Sequence, residues 1–255
     1  MKLRILPQID ELKMLYFEKS MSLQQIADMY GVTRGAVYLQ FRYHGIQTRA
    51  RGYDPVNKEY PDWNNHVTQQ ILTGSLLDGG KLVVLGSNKP TIQFMETKPL
   101  RKKEYVEWKN EYLKFHYFEQ EGRKACLTSR WHPEIDVLFE KYYFPNGMKN
   151  IKSLLTNLGE IGIFVWYMDS GELDISDEND PRIALNVDNF STEDHLLARR
   201  WFEERIGQLP EAPATRTKGR NFKRLIFSGE GAVSLLDIIT KASEELGFPL
   251  VVPRK

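Results

Sequence analysis

A single cysteine, Cys126, stands in this chain of 255 residues, so no disulfide can close within it and no thiolate-rich zinc site can form. Long apolar runs are missing too. The longest, Ile161 to Met168, falls far short of the roughly 20 residues that cross a bilayer. The N-terminus MKLRILPQIDELK has no apolar core of signal-peptide length, so the expectation is a cytoplasmic protein with no membrane partner. Five histidines (His44, His66, His116, His132 and His195) fall at no metal-ligand spacing. Net charge is nearly absent, at +1, which argues neither for nor against nucleic acid because binding depends on local charge.

What is present is the composition of a folded protein, 41% hydrophobic and 27% charged, enough for a real core in one large domain or two to three small ones. The charges separate along the chain. Residues 1–51 carry eight Lys or Arg against four acids, ATRTKGRNFKR (214–224) has five basic residues and no acid, and KPLRKK (98–103) has four more. Against these stands the acidic run ELDISDEND, 172–180. A solvated acidic loop is the expectation there, with Glu172 or Asp174 as replacement metal ligands the alternative.

The segment from Asp10 to Ile46 reads as three short helices. Leu12, Leu15 and Tyr16 recur at helical spacing. Ser22 is placed to cap a second helix that buries Leu23, Ile26 and Ala27, and Gly31 to end it with a left-handed residue. Thr33 caps a third helix, with Val37 and Phe41 inward and a stop near Gly45. Helix, glycine turn, helix is the form of a helix-turn-helix. Residues 9–48 resemble the small homeodomain-like helix-turn-helix modules of recombinases and phage proteins. That resemblance implies that the third helix enters a major groove and presents Thr33, Arg34, Tyr38 and Arg42 to DNA. The expected domain is 1–50, followed by a Pro- and Gly-containing linker over 51–65.

The remaining chain is duplicated. LTGSLLDGGKL from Leu72 and IFVWYMDSGEL from Ile163 open equivalent units 91 residues apart. After the first come the strand-like KLVVLG, TIQFME, YLKFHYFE and KACLTS; after the second come RIALNVD and FKRLIFS. Between and behind them EIDVLFEKYYF, STEDHLLARRWFEERIG and AVSLLDIITKASEEL have helical apolar spacing. The fold class is α+β, with repeats at 66–150 and 151–255. Gly74 allows close helix approach, and if the two motif helices pack together their ends bring Asp78 and Asp169 side by side. Adjacent carboxylates repel unless a cation lies between them. A divalent metal there, beside a basic groove, is what phosphodiester hydrolysis needs.

With these motifs, and with RWHPEIDVLFEKYYFPNGMKNI and RIALNVDNFSTEDHLLARRWFEERIG around the second, residues 66–250 resemble the LAGLIDADG homing endonucleases of the single-chain, two-motif type. The resemblance implies two αββαββα-type repeats that form a DNA-binding saddle of two four-stranded sheets. It implies Mg²⁺ (or Mn²⁺) held by Asp78 and Asp169, with Lys149 and Lys223 as basic catalytic residues of the groove edge that stabilise the charge developing on the phosphate, and Arg220 or Arg224 as substitutes for Lys223. The basic run Arg216, Lys218, Arg220 and Arg224 is assigned to DNA contact. The partner is double-stranded DNA, and the chain is expected to act as a monomer.

One departure divides the readings. The family's metal-binding acid stands at the eighth motif position, which is Gly79 in the first motif and Ser170 in the second; both aspartates stand at position seven. Neighbouring helical residues differ by about 100°. Either each helix end is rewound so that Asp78 and Asp169 still reach metals, or the ligands are lost. The first reading is a site-specific, Mg²⁺-dependent DNA endonuclease of an intron, intein or free-standing element. The second is a cleavage-inactive relative, acting as a DNA-binding regulator or as an RNA splicing maturase with intron RNA as partner.

Overall fold

The computed structural model describes residues 7–19, 21–46, 48, 59–86, 90–176, 181–211 and 224–250. They fall into two units, Met1–Tyr60 with Arg130–His132, and Pro61–Ser129 with Pro133–Lys255. Among the described residues no helix is long and apolar enough to cross a membrane.

The first unit is the three-helix module. Helix α1 (Ile9–Lys13) runs on into a wide π turn, Met14–Glu18, where the spacing predicts one continuous helix. Helix α2 (Leu23–Tyr30) begins with a capping box in which the Ser22 hydroxyl and the Gln25 side chain satisfy each other's backbone amides, and it ends at left-handed Gly31, φ 62°. Helix α3 (Arg34–Tyr43) starts at Thr33, whose hydroxyl accepts from the Ala36 amide. Leu12, Leu15, Tyr16, Leu23, Ile26, Ala27, Val37 and Phe41 form the core. Of the ten residues of α3 only Val37 and Phe41 are buried.

The second unit holds both repeats around one core. The first repeat runs α4 (His66–Leu77), β1 (Lys81–Leu85), β2 (Thr91–Pro99), a 3₁₀ turn at Leu100–Lys102, α5 (Lys103–Leu113), β3 (His116–Gln120), β4 (Lys124–Thr128) and α6 (Pro133–Tyr142). Helix α7 (Ile151–Thr156) leads to the second: α8 (Glu160–Ser170), β5 (Glu172–Asp174), β6 (Arg182–Asn186), α9 (Thr192–Ile206), β7 (Arg224–Ser228) and α10 (Gly229–Leu246). The first sheet is antiparallel in the order β1-β2-β4-β3, and the second has the order β5-β6-β7. The expected four-stranded second sheet thus has three strands among the described residues. An isolated antiparallel bridge from Glu211 to Ile226 lies on β7 where β3 lies on β4 in the first repeat, and residues 212–223 are outside the described chain. Strand β5 also corrects the reading of 172–180 as wholly loop: its first three residues pair with β6.

Helices α4 and α8 are buried over most of their surface, α8 with an almost wholly apolar sequence and α4 with Thr68, Gln70, Thr73 and Ser75 among its buried residues, and they pack against each other. Gly74 makes this possible. A Cβ there would collide with the Gly162 carbonyl and lie 2.8 Å from Val165 Cβ, and Gly162 faces it from the other helix. At the opposite end of the seam, Gln70 donates to Asn157 O at 2.9 Å and accepts from the Gly159 amide at 2.6 Å. Gly74→Ala forces a methyl group against the Gly162 carbonyl, and overpacked cores lose 1–3 kcal/mol or more; we expect at least about 2 kcal/mol of lost stability in a denaturant titration.

Candidate functional site

The ends of the two motif helices differ. Helix α4 stops at Leu77, and Asp78 is its cap at φ −112°, ψ −106°, with the Ser75 carbonyl accepting from both the Asp78 and Gly80 amides. Helix α8 continues through Asp169 to Ser170. Only the first motif is rewound, so a matched shift of both helix ends does not occur. The two carboxylates nonetheless converge, and what lies between them is an ammonium. Lys98 Nζ donates to Asp78 Oδ2 at 2.8 Å and stands 3.2 Å from Asp169 Oδ1 and 3.4 Å from Glu96 Oε1. Lys109 Nζ, fully buried, holds both Glu96 oxygens at 2.7 Å, Asp169 Oδ1 at 3.0 Å and Ser75 Oγ at 3.2 Å, with the Tyr105 ring beside it. Asn186, from the second repeat, donates to Asp78 Oδ1 at 3.4 Å.

The chain brings these groups together by simple alternation. In β2, Phe94, Glu96 and Lys98 share the face toward the helices, opposite Leu82, Leu127 and Ala125. An acid and a base two residues apart, behind a core phenylalanine in a strand, is the sequence signal for a buried pair; counted as part of the basic run KPLRKK, Lys98 goes unnoticed. Lys109 has a weaker signal, because it lies in KEYVEWKNEYL, the stretch of α5 that runs into the strand-like YLKFHYFE and carries no element on the sequence reading.

The position-eight departure has a structural partner. A Cβ at Gly79 would lie 2.9 Å from Lys98 Nζ, so the glycine leaves the room that the ammonium occupies. Ser170, the other departure, keeps its hydroxyl buried without a hydrogen-bond partner among the described residues. Burial works against the charge on Lys98, but Asp169, Glu96 and Asp78 outweigh it and hold its pKa well above the ordinary value. Burial also works against the Asp169 charge, and there Lys109 and Lys98 prevail and depress its pKa. Glu96 goes the other way: burial and the neighbouring Asp169 charge raise it despite the two lysines.

A divalent metal does not fit this arrangement. Its place between Asp78 and Asp169 is taken by a covalently tethered cation, and Asp169 Oδ1 is committed to two ammoniums. Among the described residues no three His, Cys, Asp or Glu are arranged to hold a metal ion.

Lys149, expected at the groove edge as a stabiliser of phosphate charge, sits on the end of the motif helix. Its Nζ donates to the carbonyls of Leu76 (2.6 Å), Gly80 (2.9 Å) and Asp78 (3.3 Å). Lys102 does the same for α8, donating to Met168 O at 2.7 Å and Asp169 O at 2.8 Å. Cations at helix C-termini complement the dipole and the unpaired carbonyls. Burial pulls Lys149 down to about 8 and also lowers Lys102.

In the first unit, Thr33, Arg34, Tyr38 and Arg42 are exposed on or at the start of α3, and Thr33 is also the helix cap. On the second sheet, Arg224 is in a bidentate pair with Glu172 at 2.6 and 2.9 Å, so this basic group meets an acid on the same sheet face. Arg216, Lys218, Arg220 and Lys223 lie outside the described residues.

Removing one member of a buried ion network leaves the others uncompensated, which costs about 3–5 kcal/mol. Lys109→Met should therefore lower stability by about that much, and adding Glu96→Gln should recover part of it, both read by chemical denaturation. Lys149 has its own signature. Its folded pKa of about 8 lies below the ordinary 10.5, so between these values the unfolded chain binds more protons and stability rises with pH. In Lys149→Met that rise should shrink, as measured by melting temperature across the alkaline range.

A family model described as LAGLIDADG DNA endonuclease family matches residues 69–205, just over half of the chain and both motifs. A comparison with curated protein sequences returned no match. Among solved structures, the homing endonuclease I-WcaI bound to its DNA recognition sequence is similar over 73% of this chain and 88% of its own, with TM-score 0.53 and 14% identity. Variants of the homing endonuclease I-DmoI match over 69% of this chain and 98% of theirs, at TM-score 0.44 and 11% identity. The I-LtrWI endonuclease bound to target DNA matches over 72% and 85%, at 0.45 and 9%. The family match, over two motif helices paired at their glycines and ending in converging aspartates, means that this chain belongs to the LAGLIDADG DNA endonuclease family.

Proposed function

We propose that this chain is a duplex-DNA-binding protein that holds its target without hydrolysing it. The observation that carries the reading is the Lys98 ammonium between Asp78 and Asp169, in the gap where the family resemblance calls for metal. The same carboxylates that would position Mg²⁺ or Mn²⁺ here serve as counter-ions to lysine, and the acid-bearing motif positions are Gly79 and Ser170. Lys149, a stabiliser of phosphate charge on the sequence reading, places its described hydrogen bonds on backbone carbonyls. The motif pair is then a structural seam that sets the two sheets, and the work of the protein is recognition.

Two features support DNA as the partner: membership of a DNA endonuclease family, and α3, which exposes Arg34, Tyr38 and Arg42 and has no acidic residue. Arginines on such a helix pair with guanine edges or phosphates. The chain is proposed to act as a monomer, because its pseudo-symmetric halves are already joined.

The test is selection of bound sites from a randomised duplex library, followed by incubation of the selected duplex with Mg²⁺ or Mn²⁺. We expect tight binding that weakens steeply with salt and no nicking. Mg²⁺-dependent cleavage that disappears in Asp78→Asn plus Asp169→Asn would restore the nuclease reading, and preference for a structured intron RNA over every duplex would move the partner to RNA. Arg34→Ala with Arg42→Ala should raise the Kd for the selected duplex by about tenfold or more, since each base or phosphate contact contributes on the order of 1–3 kcal/mol.

A further inference from the structure

We propose that Lys98 is the resident cation of the motif-helix seam, and that the cradle of Asp78, Glu96 and Asp169 takes up a hard divalent cation once that ammonium is removed. The inference rests on the non-cleaving reading above and names what replaced the metal.

Three independent elements aim an oxygen at one point. Asp78 comes from the cap of α4, Glu96 from β2 and Asp169 from the last turn of α8, at 2.8, 3.4 and 3.2 Å from Lys98 Nζ. The second Asp169 oxygen, Oδ2, is buried with no hydrogen-bond partner among the described residues. Oxygen-only ligands suit Mg²⁺, Mn²⁺ or Ca²⁺ rather than softer metals. The oxygens stand at ammonium distances, wider than the roughly 2.3–2.6 Å of a Ca²⁺ shell, and among the described residues of the natural chain no trio is arranged for a metal. Contraction by under about 1 Å closes the set, and Asp78, on the non-helical cap, is the member best able to move.

Charge favours the same occupant. Asp78, Glu96 and Asp169 face Lys98 and Lys109. Without Lys98, three carboxylates face one ammonium, a shortfall of two positive charges. Lys102 and Lys149 do not make it up, since their ammoniums sit on the helix-end carbonyls. Space favours it too: the room at Gly79 is bounded by the Lys98 ammonium and its ε-carbon, and both leave with the side chain. A small cation with its waters can enter there.

The experiment uses the full chain and Mn²⁺ as the probe, with free Mn²⁺ read by electron paramagnetic resonance and melting temperature read in parallel with Mn²⁺ or Ca²⁺. The natural chain should take up no Mn²⁺ at the seam, and its melting temperature should not respond. Lys98→Ala should melt lower in chelator, bind one Mn²⁺ at least tenfold more tightly than the natural chain, and regain melting temperature on binding. Lys98→Met fills the space without charge and should show neither effect, and Asp169→Asn added to Lys98→Ala should abolish both. Should Lys98→Ala fail to fold in chelator, recovery of its circular dichroism on adding Mn²⁺ supports the proposal and no recovery overturns it. A folded Lys98→Ala that binds no Mn²⁺ also overturns it, as does Asp169-dependent Mn²⁺ uptake by the natural chain. Cleavage of duplex by the natural chain would end the non-cleaving reading by itself, whatever Lys98→Ala does with Mn²⁺.

Discussion

The seam between the repeats depends on neutralising acids that cannot reach water. Asp169 and Glu96 are buried, Asp78 nearly so, and each would cost several kcal/mol if left unpaired in a low-dielectric interior. Lys98 and Lys109 supply the compensation, and the positions of both follow from the core around them: one on the inward face of β2, the other on the buried side of α5. The close approach of α4 and α8 at Gly74 and Gly162 brings the acids within reach of the same two ammoniums. Packing sets the distances, and electrostatics decides which cation is tolerated there.

A second layer of charge acts on the backbone. Lys149 and Lys102 each place an ammonium on the final carbonyls of one motif helix. Both helices therefore end on fixed positive groups, and the carboxylates sit between those groups and the inner lysines. The cluster is close to balanced without any external ion, which is a property of the whole set rather than of any one pair.

Much of this was legible in the sequence. The duplication, the motif register, the small residue at Gly74, the capped helices of the N-terminal module and the α+β class follow from spacing and turn chemistry, because those are local. The convergence of Asp78 and Asp169 also follows from the paired motifs. What was not legible is long-range. KPLRKK reads as a solvated basic run, and nothing in its composition says that Lys98 turns inward while Lys103 meets Glu119 at the surface. The contacts of Lys149 are hidden for the same reason: a lysine in a turn looks alike whether it faces a groove or three carbonyls. The different endings of α4 and α8 are set by tertiary packing, and two motifs with aspartate at the same position gave no hint of it.

The contact between Gly79 and Lys98 also constrains how the chain can change. Aspartate at position 79 alone would press a carboxylate-bearing Cβ against the ammonium and bring a fourth acid to two lysines. Loss of Lys98 alone leaves the shortfall of two charges in the interior. The identities of residues 79 and 98 are therefore coupled: any side chain at 79 must share the end of the seam with the Lys98 ammonium, and its charge decides whether it pairs with that ammonium or displaces it.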